Sequence, residues 1–199
     1  MIRICLLTAA IALLAFAFYK LAFDNEITYP PGILVPEVPR QMPLAKSSLW
    51  EKDGYWFKAL AKFSLEARVL SKERYWFGRE ADLCPFDLAL GWGPMSDQKI
   101  LDQLTIRQNG RRYYWWPKQP TLSYEEINSH SANMHLIPAN DEIKAMIKQI
   151  RRGDIITLRG YLVAVQSNDG WHWRSSLSRT DRGDGACEVI WVDSLAIRY

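Results

Sequence analysis

Three kinds of residue in this sequence are equipped for chemistry: two cysteines, three histidines, and a run of cations interleaved with aromatic rings. Cys84 and Cys187 are the cysteines outside the N-terminal segment. A thiol attacks as its thiolate and therefore needs a neighbouring base. His130, His135 and His172 are on hand, yet no local signature surrounds either thiol, so spacing assigns no catalytic residue. A thiol-dependent hydrolase using Cys187 or Cys84 therefore ranks behind binding functions. In an oxidising compartment the same two residues invite a Cys84–Cys187 disulfide, with separate buried thiols as the alternative. The histidines lack the paired spacing of a zinc site and there is no C-x-x-C, so neither metal nor cofactor is expected. Ser175 and Ser176 lack the glycines of a nucleophile elbow. No glycine-rich phosphate loop is present.

The interleaved run is RRYYWWPK: Arg111, Arg112, Tyr113, Tyr114, Trp115, Trp116 and Lys118, with Pro117 inside it. Rings that stack and cations that track phosphates are the equipment of single-strand binding surfaces. The same rings stack on sugars. The plainer reading is a twisted hairpin with one face in the core and arginines on the other. A dedicated nucleic-acid binder carries a strong basic excess. This chain has a net charge of +3, and two of the positive charges, Arg3 and Lys20, flank the apolar N-terminus. Nucleic acid is therefore an alternative partner rather than the favoured one.

The elements that must position these residues follow from periodicity. Leu104 to Trp116 reads as two β-prone runs around Asn109-Gly110, the signature of a type I′ turn with positive φ at both residues. Phe63, Leu65, Ala67 and Val69 alternate with polar residues, a half-buried strand, and a loop is expected over Ser71 to Ala81. Asp87 to Ser96 carries two glycines and a proline and reads as an irregular turn, with Ser96 capping a short helix over Asp97 to Gln103. Ser131 to Pro138 is a strand candidate.

Asn140 then caps a helix whose Ile143, Met146, Ile147 and Ile150 form one apolar stripe, ended by Gly153. Ile155 to Val165 is a strand, and Gly160 inside it suggests a bulge or bend. After a turn at Asn168-Asp169-Gly170 come a strand over Trp171 to Leu177, a polar loop from Ser178 to Ala186, and a last strand over Cys187 to Val192.

The segments FSLEARVL (Phe63–Leu70), DEIKAMIKQI (Asp141–Ile150) and RRGDIITLRGYLVAV (Arg151–Val165) occur in an order that resembles an OB-fold. That family is a small Greek-key barrel with one helix between its third and fourth strands. The resemblance is topological. It spans Ala61 to Val192 and points to exported bacterial barrels of that type. It implies a mainly β (α+β) fold with one capped helix between strands. A long insert from Tyr114 to His130 and an extra strand after Ala186 depart from it.

Residues 1–23 are expected to be a transmembrane anchor or signal segment. Ile4 to Phe23 is apolar apart from Thr8 and Lys20, and its 20 residues make about 30 Å of helix, enough to span a bilayer core. Ala15-Phe16-Ala17 offers a signal-peptidase site, so cleavage and secretion compete with a retained anchor; a buried core helix is a third reading. The short N-terminal tail favours N-in, with the domain in the periplasm or outside. Residues 24–49 hold five prolines and read as a semi-stiff linker, or as an arm laid along the domain. Residues 50–199 are the β-rich extracytoplasmic domain. Nine tryptophans fit a β core with aromatic cross-strand pairs or an exposed aromatic face. The functional expectation is a membrane-anchored, non-enzymatic binding or adaptor domain for another envelope protein or polymer. A single-stranded nucleic-acid module is one alternative and a thiol hydrolase another.

Overall fold

The alternation that begins before Phe63 runs further than the sequence suggested, and the strand it builds is the spine of the domain. The computed structural model describes residues 26–119, 122–178 and 187–198, together with Leu13, Leu14 and Phe16. The rest of the expected membrane segment lies outside the described residues. Among those described, no helix is long and apolar enough to cross a membrane.

In chain order the elements are β1 (Arg40–Pro43), β2 (Leu49–Lys52), β3 (Tyr55–Arg74), α1 (Arg79–Leu83), β4 (Phe86–Gly91), α2 (Gln98–Leu101), β5 (Leu104–Asn109), β6 (Arg112–Pro117), α3 (Tyr124–Ser129), β7 (Ser131–Pro138), α4 (Asp141–Gln149), β8 (Ile155–Ser167), β9 (His172–Arg174) and β10 (Glu188–Arg198). The fold is mainly β with a few short helices. β3 runs antiparallel to β8 from Tyr55 to Arg68, then pairs with β4 through its last turn of residues, Arg68 to Arg74. β4 pairs antiparallel with β7, β7 parallel with β10, and β10 antiparallel with β8. The ladder thus returns to the strand on which it began. β3 makes this turn through two one-residue irregularities, at Leu60 and Leu70, which bend a strand where the partner stays regular.

Phe63 and Leu65 of β3, Leu88 and Leu90 of β4, Met134 and Leu136 of β7, Leu158 and Leu162 of β8, and Ile190 and Val192 of β10 face one another in a shared core. Ile143 and Ile147 of α4 close it, and Asn140 Oδ1 accepts the Ile143 N–H at 2.9 Å as the helix N-cap. The intervening residues of β4 and β7 are buried too. Ala89 packs with Leu104, Ile106 and Ile127, under the β5–β6 hairpin. Ile137 packs with Phe57, Val189 and Trp191.

The expected irregular turn from Asp87 is therefore a correction: Phe86–Gly91 is a strand in which every residue is buried. A strand covered on both faces shows no alternation, so its signal was lost beside the glycines. Ser96 does not cap α2; Asp97 does, accepting the Lys99 N–H at 2.9 Å. The loop expected over Ser71 to Ala81 is shorter, because β3 persists to Arg74 and α1 starts at Arg79. The strand expected over Trp171 to Leu177 shrinks to His172–Arg174, while the last strand lengthens to Arg198. Residues 179–186 of the polar loop lie outside the described residues. Gly160 is explained by close approach: a Cβ there would meet Trp191 O at 1.8 Å, and the irregularity lies across the pair in β10, between Val192 and Ser194.

The proline-rich stretch is laid along the domain. Ile27 N–H donates to Arg152 O at 2.9 Å, Gly32 N–H to Asp97 Oδ1 at 2.9 Å, and Leu34 and Val35 N–H both reach Ser96 Oγ. Further along, β1 lies on the edge of β3, a place where proline is tolerated.

Candidate functional site

The β5–β6 hairpin forms where expected but turns one residue later. Asn109 pairs with Arg112, and the positive φ angles belong to Gly110 (59°) and Arg111 (62°) rather than to Asn109. The register follows the buried side chains: Ile106 and Leu104 point into the core beneath. A non-glycine residue with positive φ costs roughly 1 kcal/mol, and contacts outside the hairpin hold it. Arg111 N–H donates to Tyr75 Oη at 2.9 Å, and Arg111 O accepts Asn133 Nδ2 at 3.0 Å.

The seven residues singled out in the sequence divide among three places. Tyr113 and Trp115 face inward and pack with Leu104, Ile106 and Ile127; Tyr113 Oη lies 2.7 Å from Ser131 Oγ and Trp115 Nε1 reaches Asn128 Oδ1. Arg112, Tyr114 and Trp116 face outward. Tyr114 and Trp116 are stacked with centroids 6.1 Å apart and planes 18° from parallel, and both are exposed. Arg107, opposite Tyr114, joins them on this face. Lys118 Nζ donates to Asp102 O at 2.9 Å. Arg111 instead sends its side chain down beneath the hairpin tip.

What lies beneath is a cluster the sequence did not assemble. Asp87 on β4 and His135 on β7 are cross-strand partners, on the sheet face turned away from the main core. Asp87 is fully buried. Its Oδ1 accepts Arg111 Nη1 at 3.0 Å and the Cys84 thiol at 3.3 Å. Its Oδ2 lies 2.9 Å from His135 Nδ1. That contact is an ion pair off the straight N–H line, and neither atom has a hydrogen-bond partner elsewhere among the described residues.

The parallel register sets Val189 opposite His135, so Cys187, two residues earlier, comes to the same face. Its thiol reaches Arg111 O at 3.9 Å. Trp173 of β9 covers the imidazole at 4.9 Å between centroids. The Arg111 guanidinium lies over the rings of Tyr75 and Trp173 at 4.2 and 5.4 Å.

The charges of this cluster are interlocked. Burial alone would lower the His135 pKa, but Asp87 and Cys187 outweigh it and raise it to about 9, which makes the ring an imidazolium at neutral pH. Burial and the Asp87 carboxylate push the Cys84 thiol well up, so it keeps its proton and stays inert. Burial, with Asp87 adding to it, likewise raises the Tyr75 phenol.

Cys84 and Cys187 are both free thiols, the first buried and the second partly exposed; no disulfide joins them in this structure. The donor atoms of Cys84, Asp87 and His135 lie within 4.8 Å of one another, a spacing a cation would accept. However, Arg111 already neutralises Asp87, and the Cys84 proton is shared between Asp87 and Phe86 O. The set fits a closed hydrogen-bond cluster better than a metal centre. His130 and His172 lie elsewhere: His130 packs against Gly93 and within the end of α3, and His172 is exposed on β9. No known protein family, curated protein or solved structure matches this chain.

Proposed function

We propose that the chain is a membrane-tethered binding module of OB type, holding its domain outside the cytoplasm and gripping a ring-bearing envelope polymer with the outer face of the β5–β6 hairpin. The observation that carries the reading is the exposed, stacked Tyr114–Trp116 pair beside Arg107 and Arg112. A ring pair left in water costs free energy unless something covers it.

The OB assignment draws on three features: a ladder of five strands that returns to its start, a parallel pairing of the third strand in that ladder with the fifth, and a helix between the third and fourth. In domains of that type ligands lie against the second and third strands. Here those strands are β4 and β7, and the hairpin roofs them. The tether draws on the apolar run Ile4 to Phe23. The modest net charge favours a glycan over a nucleic acid.

The test is co-sedimentation of the full chain, in detergent, with purified cell-wall glycan and separately with single-stranded oligonucleotides across a salt series. Glycan binding that disappears in the Tyr114→Ala/Trp116→Ala double variant supports the reading. Steeply salt-dependent oligonucleotide binding with no glycan binding transfers the surface to nucleic acid. Binding unaltered in the double variant removes the hairpin face.

A further inference from the structure

We propose that the domain lies directly on the bilayer that holds its tether, with the C-terminal end of α4 set against anionic phospholipid headgroups. This rests on the membrane tether of the functional reading, and the fold supplies the reach. Residues 24–49 read in sequence as a linker, but the chain is pinned to the domain almost as soon as that stretch begins. Ile27 N–H donates to Arg152 O at 2.9 Å, and Arg68 Nη2 donates to Ile27 O at 3.2 Å. A Cβ on Gly153 would meet that same carbonyl at 2.0 Å, so the two segments are in direct contact. Tyr29, Gly32, Leu34 and Val35 continue the attachment through their backbone N–H groups. Only Asp24, Asn25 and Glu26 lie between Phe23, the end of the apolar run, and Ile27. Four steps of fully extended chain span at most about 14 Å. The headgroup layer of each leaflet is itself about 5–8 Å deep. Ile27 and the Arg152 bonded to it therefore sit within or just above the lipid phosphates.

What that end of the domain presents is positive. Lys144, Lys148, Arg151 and Arg152 are exposed, and no acidic residue lies between Lys144 and Gly153. Lys144 and Lys148 are one turn apart on the same face of α4. The acids of that helix, Asp141 and Glu142, occupy its first turn, at the opposite end. Two carboxylates reach the cluster from outside: Glu26 lies 3.3 Å from Arg152 Nε, and Asp154 lies 3.7 Å from Arg151 Nη2. Lys72 adds a further ammonium beneath, on the carbonyls of Ile147, Lys148 and Ile150. The cations outnumber the anions, and the surplus sits beside the point where the chain leaves for the membrane. Anionic lipid attracts basic groups held near its surface, and the attraction decays within a Debye length, about 8–10 Å at moderate salt. The short tether keeps this corner inside that range. The cluster is remote from the apolar run in sequence, and only the fold brings the two together.

The test uses the full chain, reconstituted in vesicles of phosphatidylcholine alone and of phosphatidylcholine mixed with phosphatidylglycerol, and compared with the chain in detergent. Lysines are acetylated with a small N-hydroxysuccinimide ester and their rates read by peptide mass mapping. Lys58, exposed and well before Arg68 on β3, is the internal reference. The expected result, relative to Lys58, is acetylation of Lys144 and Lys148 about fivefold slower in phosphatidylglycerol vesicles than in detergent. Their rates should change little in phosphatidylcholine and recover at high salt. No variant has to fold for this comparison. Equal rates for Lys144, Lys148 and Lys58 in phosphatidylglycerol vesicles overturn the proposal. So does equal protection in the two lipids, which would mean proximity without recognition of charge. An alkaline carbonate wash separates this proposal from the tether on which it rests. A chain that stays on the vesicles with unprotected lysines defeats this proposal alone, whereas a chain stripped by the wash defeats the tether and this proposal with it.

Discussion

Arg111 Nη1 lies 3.0 Å from Asp87 Oδ1, and the residue that makes this contact sits at a φ of 62° in the tip of a hairpin. One residue thus serves two elements: it finishes the turn and neutralises a fully buried carboxylate on the wall beneath. The backbone strain and the ion pair are linked, because the shifted turn is what aims the side chain downward.

Replacing Arg111 tests that linkage. Arg111→Ala leaves Asp87 buried without its guanidinium, and losing one partner of a buried pair costs about 3–5 kcal/mol. Arg111→Gly leaves the same hole but relieves the positive φ, so it should be less damaging than alanine by about 1 kcal/mol. Arg111→Lys keeps the charge without the second donor, which now reaches Cys84 O at 3.2 Å, and should fall between alanine and the native chain. Urea unfolding followed by tryptophan fluorescence gives the order. Equal losses for alanine and glycine would show that the turn carries no strain.

The arm that precedes β1 is held by a second buried arginine. Arg68 is 0 % exposed, donates to Ser96 O at 3.1 Å, to Ile27 O at 3.2 Å and to Gln98 Oε1, and lies over the Tyr29 ring. Arg68→Met strands those acceptors at a cost of about 3 kcal/mol or more. Gly153→Ala attacks the same join from the other side: its φ is +91° and a Cβ would meet Ile27 O at 2.0 Å. Both variants should expose the 27–35 stretch to limited proteolysis well before the rest of the domain unfolds. Protection equal to the native chain would mean the arm is held by its prolines alone.

Elements whose signal is local were legible in the sequence. The helix over Asp141–Gln149 has its cap, acidic first turn and stripe all between Asn140 and Ile150, and β7 shows as Ser131–Pro138 because its ends are well marked. The hairpin was evident from Asn109-Gly110, but its register was not, since one step is decided by whether Ile106 or its neighbour is buried. The cluster was illegible for a related reason. Asp87 sat in a segment read as a turn, and His135 is adjacent to it through a strand pairing separated by 48 positions. No spacing rule joins such residues. A cue did exist: DLALG is apolar without alternation, the pattern of a strand buried on both faces, and it holds one carboxylate that must then be satisfied.

Lys72 supplies a cap from outside the helix it caps. Its Nζ donates to Ile147 O, Lys148 O and Ile150 O at 2.8, 2.9 and 2.9 Å, at the end of α4 where carbonyls lack partners. The positive charge there also complements the helix dipole. Lys72→Met keeps the buried stem and removes the ammonium, so the expected loss is about 2 kcal/mol. Hydrogen exchange should quicken in the last turn of α4 more than in β7. A uniform change across the domain would place the effect elsewhere.

Stability should fall as pH rises past neutrality, and His135 gives the sign. Its pKa in the folded chain is about 9, above the 6.5 of an unconstrained imidazole. The folded state therefore holds the proton more tightly than the unfolded state. This contribution is fully present below about pH 6.5, declines as pH climbs toward 9, and is absent above that. The shift corresponds to about 3 kcal/mol. Urea midpoints measured from pH 6 to 10 should drop across this window, and His135→Gln should flatten the drop. Cys187 also contributes to raising the His135 pKa, so Cys187→Ser separates the two: if the slope survives in Cys187→Ser, the Asp87–His135 pair is its source. A slope that vanishes in Cys187→Ser makes the thiol–imidazole pair the stabilising contact. A native chain whose stability rises through the window would show that the proton is not held by His135 at all.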